Sequence, residues 1–219
     1  MHRDLRHATM TTRSRPQISS RKHPQQARST ELVAAILEAA AQILAQEGVT
    51  RFTTARVAEK AGVSVGSIYQ YFPNKASILF RLQVDEWMQT AKMLRNILED
   101  AGTPHLERLR TLVHAFLRSE CEEAELRGAL NDAAPLYRDS PEARQARAEG
   151  DQMIDAFMME ALPKASAASR DLAGDLIFTT LSSVGNSFSQ TRRTKAEIKA
   201  YADAMANMFC AYLQALRQD

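Results

Sequence analysis

Aromatic residues make up only 6% of this 219-residue chain, which also holds just eight glycines, seven prolines and two cysteines. With few turn formers, and with apolar residues that are mostly Ala, Leu and Met rather than Val, Ile and Tyr, the composition predicts an all-α protein. No stretch approaches the ~18 uninterrupted apolar residues that cross a bilayer, and the N-terminus has no apolar signal core, so the expectation is a cytoplasmic protein with no membrane partner. Cys121 and Cys210 sit inside helical patterns without CxxC or His spacing, which predicts reduced core thiols rather than a disulfide or zinc site. The chain also lacks a P-loop, GxSxG, HExxH or Gly-rich cofactor turn, so no catalytic residue, metal site or cofactor is expected and the enzyme class is disfavoured. What is present, 45% hydrophobic and 25% charged residues, is ordinary globular composition.

The net charge of +2 conceals an asymmetry. Residues 1–75 carry +6 and residues 76–219 carry −4, and the first 28 residues alone supply the +6, with Arg3, Arg6, Arg13, Arg15, Arg21, Lys22 and Arg28 against Asp4. Such a basic, low-apolar arm does not offset its own ordering entropy and is expected to be mobile. It reads either as a nucleic-acid arm or as a solvated leader, with Met10 an alternative start.

Helical periodicity begins near Ser29, where Ser29 or Thr30 offers a cap, and Val33, Ile36, Leu37, Ala40, Ile43 and Leu44 form one stripe ended by Gly48. Thr53 and Thr54 offer an N-cap to a short helix over 55–61, Gly62 breaks it, and Ser64 caps a second short helix to about Tyr71. Longer helices are expected at 75–99, 104–124, 125–133, 141–162, 169–190 and 195–216. Thr103-Pro104 and Ser140-Pro141 read as N-cap pairs, and Thr194 with Glu197 as a capping box. Glu120, Glu122, Glu123 and Glu125 crowd one stretch, but near-consecutive acids point around a helix, so they read as surface rather than as acid/base or metal groups.

Two short helices joined at a Gly-containing turn make a helix-turn-helix, which places its second helix in the DNA major groove. Ile68 and Phe72 take the inner side of that helix and leave Val65, Gly66, Ser67, Tyr69, Gln70 and Tyr71 on or near the outer face. Hydroxyls, an amide and aromatics suit phosphates and bases, and Gly66 permits close backbone approach. Core packing is the alternative for the two tyrosines. The run from Thr53 to Lys75, with its Gly62-Val63-Ser64 turn and its Tyr69-x-Tyr71-Phe72-x-Asn74-Lys75 ending, resembles the DNA-binding signature of the tetracycline-repressor (TetR) family. That resemblance implies an N-terminal three-helix DNA-binding domain, a C-terminal helical effector-binding and dimerisation domain, and about nine helices in all. It also implies a homodimer that binds palindromic double-stranded DNA operators as a repressor until a small molecule releases it. Position by position, it suggests Thr54 on phosphate, Ser64, Val65, Ser67 and Tyr69 facing the groove, and Tyr71 and Lys75 fixing the register on the backbone; Thr53, Gly66 and Gln70 complete the expected DNA-binding set. Ala55 stands where some members carry a basic residue, which removes a contact from that position.

On this reading the chain divides into an arm at 1–28, a DNA-binding domain at 29–75 and an effector and dimerisation domain at 76–219. The last two predicted helices carry wide apolar stripes, and in the family these helices pair across a dimer axis. The dimer contacts expected here are Leu181, Val184, Phe188, Tyr201, Met205, Met208, Phe209 and Tyr212, against the alternative of a monomeric bundle core. An effector cavity, largely apolar, is expected among Trp87, Met88, Phe116, Met153, Phe157, Phe178 and Leu181, with Ser182, Asn186 or His114 as orienting groups. The competing function is a nucleoid-associated or structural DNA-binding protein with no effector.

Overall fold

The computed structural model describes residues 27–133 and 140–218, which form nine α-helices with no strand among them. The basic arm to residue 26 lies outside the described residues. The first helix, α1 (Ala27–Arg51), buries the expected stripe from Val33 to Leu44. One detail differs from expectation: Ser29 and Thr30 lie within the helix rather than capping it. Gly48 (φ 71°, ψ 176°) is non-helical and ends the run as expected, and a short second helical stretch follows it to Arg51. By length and composition the segment Ser29–Arg51 is long and apolar enough to cross a membrane. Its apolar stripe is occupied instead by the core it shares with Phe52, Val57 and Ile68.

The other helices are α2 (Thr54–Ala61), α3 (Val65–Tyr71), α4 (Lys75–Leu98), α5 (His105–Glu122), α6 (Ala124–Ala133), α7 (Pro141–Ala161), α8 (Ala167–Ser189) and α9 (Lys195–Gln218). Ser140 caps α7 through the Ala143 N–H at 3.0 Å, ahead of Pro141. Thr194 and Glu197 make the capping box of α9, with the Glu197 N–H donating to Thr194 Oγ1 at 3.2 Å and the Thr194 N–H to Glu197 Oε2 at 2.7 Å. Thr103 does not cap α5. Its hydroxyl donates to Asp100 Oδ2 at 2.7 Å in the preceding turn, and the helix starts one residue later, with Pro104 at the cap position and no side-chain bond there.

Two cores result. The first joins α1, α2, α3, the start of α4 as far as Leu82, and Ala129, Leu130 and Ala133 of α6. The second joins Leu98 to the inner faces of α5, α7, α8 and α9. Thus α4 runs from one core to the other, and α6, far along the chain, packs on α1. Close approach of α8 to its neighbours uses Gly174 and Gly185: a Cβ there would lie 2.9 Å from Ile154 Cγ2 and from Phe116 Cε1 respectively.

The expected dimer contacts divide between two faces. Leu181, Met205 and Phe209 fill the chain's own second core, 1–6% exposed, and this corrects their assignment to an intersubunit surface. They lie on the sides of α8 and α9 turned inward, so a partner has no access to them. Tyr201 (39%) and Met208 (53%) are exposed, as are Leu172 and Leu176, while Val184, Phe188 and Tyr212 are half-buried.

Candidate nucleic-acid interface and cavities

Thr53, extended at φ −135°, accepts the Arg56 N–H on its hydroxyl at 3.3 Å and so starts α2. Gly62 ends it at φ 67°, ψ 30°, and the turn closes as the Val63 N–H donates to Ala58 O at 3.0 Å. Ser64 then caps α3, accepting the Ser67 N–H at 3.0 Å. Ile68 and Phe72 are fully in the core, which fixes how α3 is rolled on its bed. Arg56 on α2 also donates to Glu47 Oε1 of α1 at 3.0 Å, a brace between two of the three helices.

That roll leaves Ser64, Val65, Gly66, Tyr69 and Gln70 exposed and Ser67 half-buried. Thr53 is exposed and Thr54 half-buried at the start of α2. The Ser64 and Ser67 hydroxyls are 2.8 Å apart and bonded to each other, so the two groups expected to reach DNA are held together on the first turn of α3. Nothing inside the chain demands glycine at position 66. Its φ is not positive, and a Cβ there would make only a 3.7 Å contact with Ser64 Oγ. An absent side chain on the exposed face leaves room for whatever approaches from outside.

Two residues sit differently from expectation. Tyr71, expected on or near the outer face, is 9% exposed and belongs to the first core together with Ile68 and Phe72. Lys75 is half-buried and points inward. Its Nζ donates to Val49 O at 2.7 Å and lies 5.9 Å from the Phe52 ring centroid, tying the end of α1 to the start of α4. Asn74 makes a capping box with Ser77 ahead of Lys75, so the expected backbone anchor sits on a fixed helix start.

Two cavities open beside α4. The larger, about 670 Å³, lies between α4 and α7 with Val84, Trp87, Met88, Ala91, Leu94, Ala143, Ala146 and Met153 as its apolar wall. The smaller, about 450 Å³, lies among α4, α5, α6 and α8, and takes in Trp87, Phe116, Ser182 and Asn186. Among the residues expected at a pocket, Trp87, Met88 and Met153 line the first, and Trp87, Phe116, Ser182 and Asn186 the second. Phe157 and Phe178 line neither; both pack in the second core. His114 instead meets Asp203 of α9 at 3.0 Å.

Charged side chains also border the cavities. Glu86 and Thr90 border both, and Arg127 of α6 lies behind them. Its guanidinium reaches Glu86 Oε1 at 3.1 Å, Glu123 Oε2 at 2.9 Å, Ser119 Oγ at 2.8 Å and Thr90 Oγ1 at 3.1 Å, and also Glu120 Oε1. Glu120 is buried and Glu123 half-buried, which corrects the reading of both as surface acids; Glu122 and Glu125 are exposed as expected. The spacing Glu120, Glu123, Arg127 puts all three on one helical face across the α5–α6 junction, and that was the legible signal. Glu86, on another helix, had none. Burial holds its carboxyl above the usual carboxylate range, and Arg127 only partly offsets this.

Comparison with known proteins places both halves of the chain. Residues 36–82 match the model of bacterial regulatory proteins of the tetR family, and residues 104–216 match the tetracyclin repressor-like C-terminal domain. The nucleoid occlusion factor SlmA of Vibrio campbellii is 40% identical over 84 residues, 37% of this chain and 42% of that protein. The fatty acid metabolism regulator protein of Bacillus subtilis is 31% identical over 68 residues, 31% of this chain and 35% of that one. The chain therefore spans well under half the length of the curated relatives it matches. Among solved structures, a TetR-family transcriptional regulator from Mesorhizobium loti superposes with a TM-score of 0.67 at 20% identity, over 85% of this chain and 98% of that one. FadR from Bacillus subtilis in complex with stearoyl-CoA gives 0.64 at 18% identity, over 81% and 97%. At such identities the likeness is one of fold.

Proposed function

The chain belongs to the TetR family of DNA-binding transcriptional regulators, and from that premise we propose that it is a repressor that binds a palindromic operator as a homodimer and lets go when a small molecule enters the cavities beside α4. The observation that carries the DNA half of this reading is the outer face of α3. Ser64, Val65, Gly66, Tyr69 and Gln70 are uncharged and exposed on a helix whose roll is fixed by Ile68 and Phe72, so they can read bases rather than merely be solvated. Thr53 and Thr54 flank that face toward the phosphates, Ser67 stands beside Ser64 at its edge, and Lys75, tied to Val49 O, holds the start of α4 in register behind it. Exposed Tyr201, Met208, Leu172 and Leu176, with Val184, Phe188 and Tyr212 beside them, supply an apolar surface on α8 and α9 for the second subunit.

The effector half is supported by the path from cavity to reading head. A ligand against Glu86 touches the partner of Arg127, and Arg127 belongs to the helix that packs on α1. The basic arm adds affinity through counterion release, so removing residues 1–28 should flatten the dependence of log K on log salt, and an unchanged slope would leave it no role on DNA.

The test of the whole reading is selection of binding sites from random duplex by the full chain, followed by fluorescence anisotropy on the enriched sites. Enrichment of sequences with two inverted half-sites supports it. Binding without sequence enrichment would favour the alternative of an effector-independent nucleoid-associated protein, which the similarity to a nucleoid occlusion factor also suggests.

A further inference from the structure

We infer that the small molecule taken by the cavity between α4 and α7 is a lipophilic organic cation, with its positive charge against Glu86 and its chain along the apolar wall of α4 and α7. This rests on the reading that the cavity is the effector site, and it names the class of effector.

The first argument is the distribution of charge. Across the two cavities the ionised side chains are Glu86, Glu120, Glu142 and Glu149 against Arg127 and Arg147. Glu142, Glu149 and Arg147 are exposed on α7, at the rim. Among the described residues the charges at depth are Glu86, at the boundary of both cavities, and Glu120 and Arg127 in the smaller one, and that guanidinium already serves Glu86, Glu120 and Glu123. Among those residues a carboxylate or phosphate entering at this depth meets Glu86 and finds no cation that is not already shared among three acids. An ammonium group meets the opposite situation.

The second argument is position. Glu86 is shared by both cavities, its side chain 14% exposed, and its oxygens accept Thr90 Oγ1 at 2.9 Å and Gln83 Nε2 at 3.1 Å, which hold it at the boundary of the larger cavity. Burial raises its proton affinity and Arg127 opposes this, while the neighbouring Glu120 and Glu123 add repulsion that a ligand's positive charge would relieve. Next to it Trp87, which also borders both cavities, supplies the aromatic surface that attracts quaternary ammonium groups. The wall of Val84, Met88, Ala91, Leu94 and Met153 then takes a hydrocarbon chain, and the cavity of about 670 Å³ has room for one.

Trp87 is the chain's single tryptophan, so its fluorescence reports occupancy directly. The full chain is titrated below micelle concentration with decyltrimethylammonium, decanoate, decanol and decanoyl-coenzyme A, which share a hydrocarbon tail and differ in charge. The cation is expected to perturb Trp87 and to bind more tightly than the other three. Glu86→Gln should weaken the cation by about tenfold to a hundredfold and leave decanol unchanged. Tighter binding of decanoate or the acyl-coenzyme A, with Trp87 responding, would overturn the cationic class and leave the effector reading intact. No response to any of the four would overturn both. The charge series on the unaltered chain decides the question even if Glu86→Gln disturbs folding.

Discussion

The Arg127 guanidinium on α6 lies 3.1 Å from the Glu86 carboxylate on α4, and so joins the helix that packs on the reading head to the wall of both cavities. One cation serves three carboxylates there, and removing it leaves uncompensated charge in a largely buried place.

Arg127→Met should therefore cost about 3–5 kcal/mol of folding stability, far more than loss of an exposed ion pair. Urea denaturation followed by circular dichroism measures it. Adding Glu86→Gln should recover part of the loss, and a double variant no more stable than the single one would mean that Glu120 and Glu123 dominate the cost.

Stability should also depend on Glu86 titration. Its carboxyl is raised by burial, against the pull of Arg127 and with Glu120 and Glu123 adding repulsion, so the folded state binds this proton more tightly than the unfolded state. In the window between the ordinary carboxylate value and the raised one the folded chain holds more protons, and stability falls as pH rises through that window. Glu86→Gln removes this contribution. Urea midpoints measured across the window should change less for the variant than for the native chain, and parallel curves would assign the titration to another group.

Tyr69 and Tyr71, two residues apart, should behave oppositely. Tyr69 is 43% exposed and Tyr71 9%. Tyr69→Ala is expected to cost about 1–3 kcal/mol on a selected operator, little on scrambled duplex, and nothing in thermal midpoint. Tyr71→Ala empties part of the first core and should cost about 3 kcal/mol of stability before any question of DNA arises. Equal losses for Tyr69→Ala on both duplexes would move its ring to a backbone contact.

Charge on the outer side of α8 and α9 should separate subunits without unfolding them. Leu176→Glu with Met208→Glu is expected to give helical monomers by light scattering and circular dichroism, since charges buried in an apolar interface cost several kcal/mol. Met205→Glu or Phe209→Glu should instead unfold the chain, because both side chains lie in its own core. A persistent dimer of the outer-face variant would place the interface elsewhere.

Features whose cause lies within a few residues were legible in the amino-acid sequence. Thr53, Ser64, Ser140 and the Thr194–Glu197 pair start their helices because a hydroxyl or carboxylate three positions from an unpaired N–H can satisfy it whatever the rest of the chain does. The stripe from Val33 to Leu44 and the Ile68–Phe72 pair followed from helical period in the same way. A stripe says which side of a helix is apolar and not what will cover it. Only the packing of α5 against α9 decided that Met205 is inside and Met208 outside, although both are apolar and three residues apart. The return of α6 to α1 was likewise decided only there, as were the inward turns of Tyr71 and Lys75. The meeting of Glu86 with Arg127 spans 41 positions of sequence, and it exists because α4 passes from one core to the other beside α6. Burial and charge pairing at such range depend on which helix is the neighbour, and that is a property of the assembled fold.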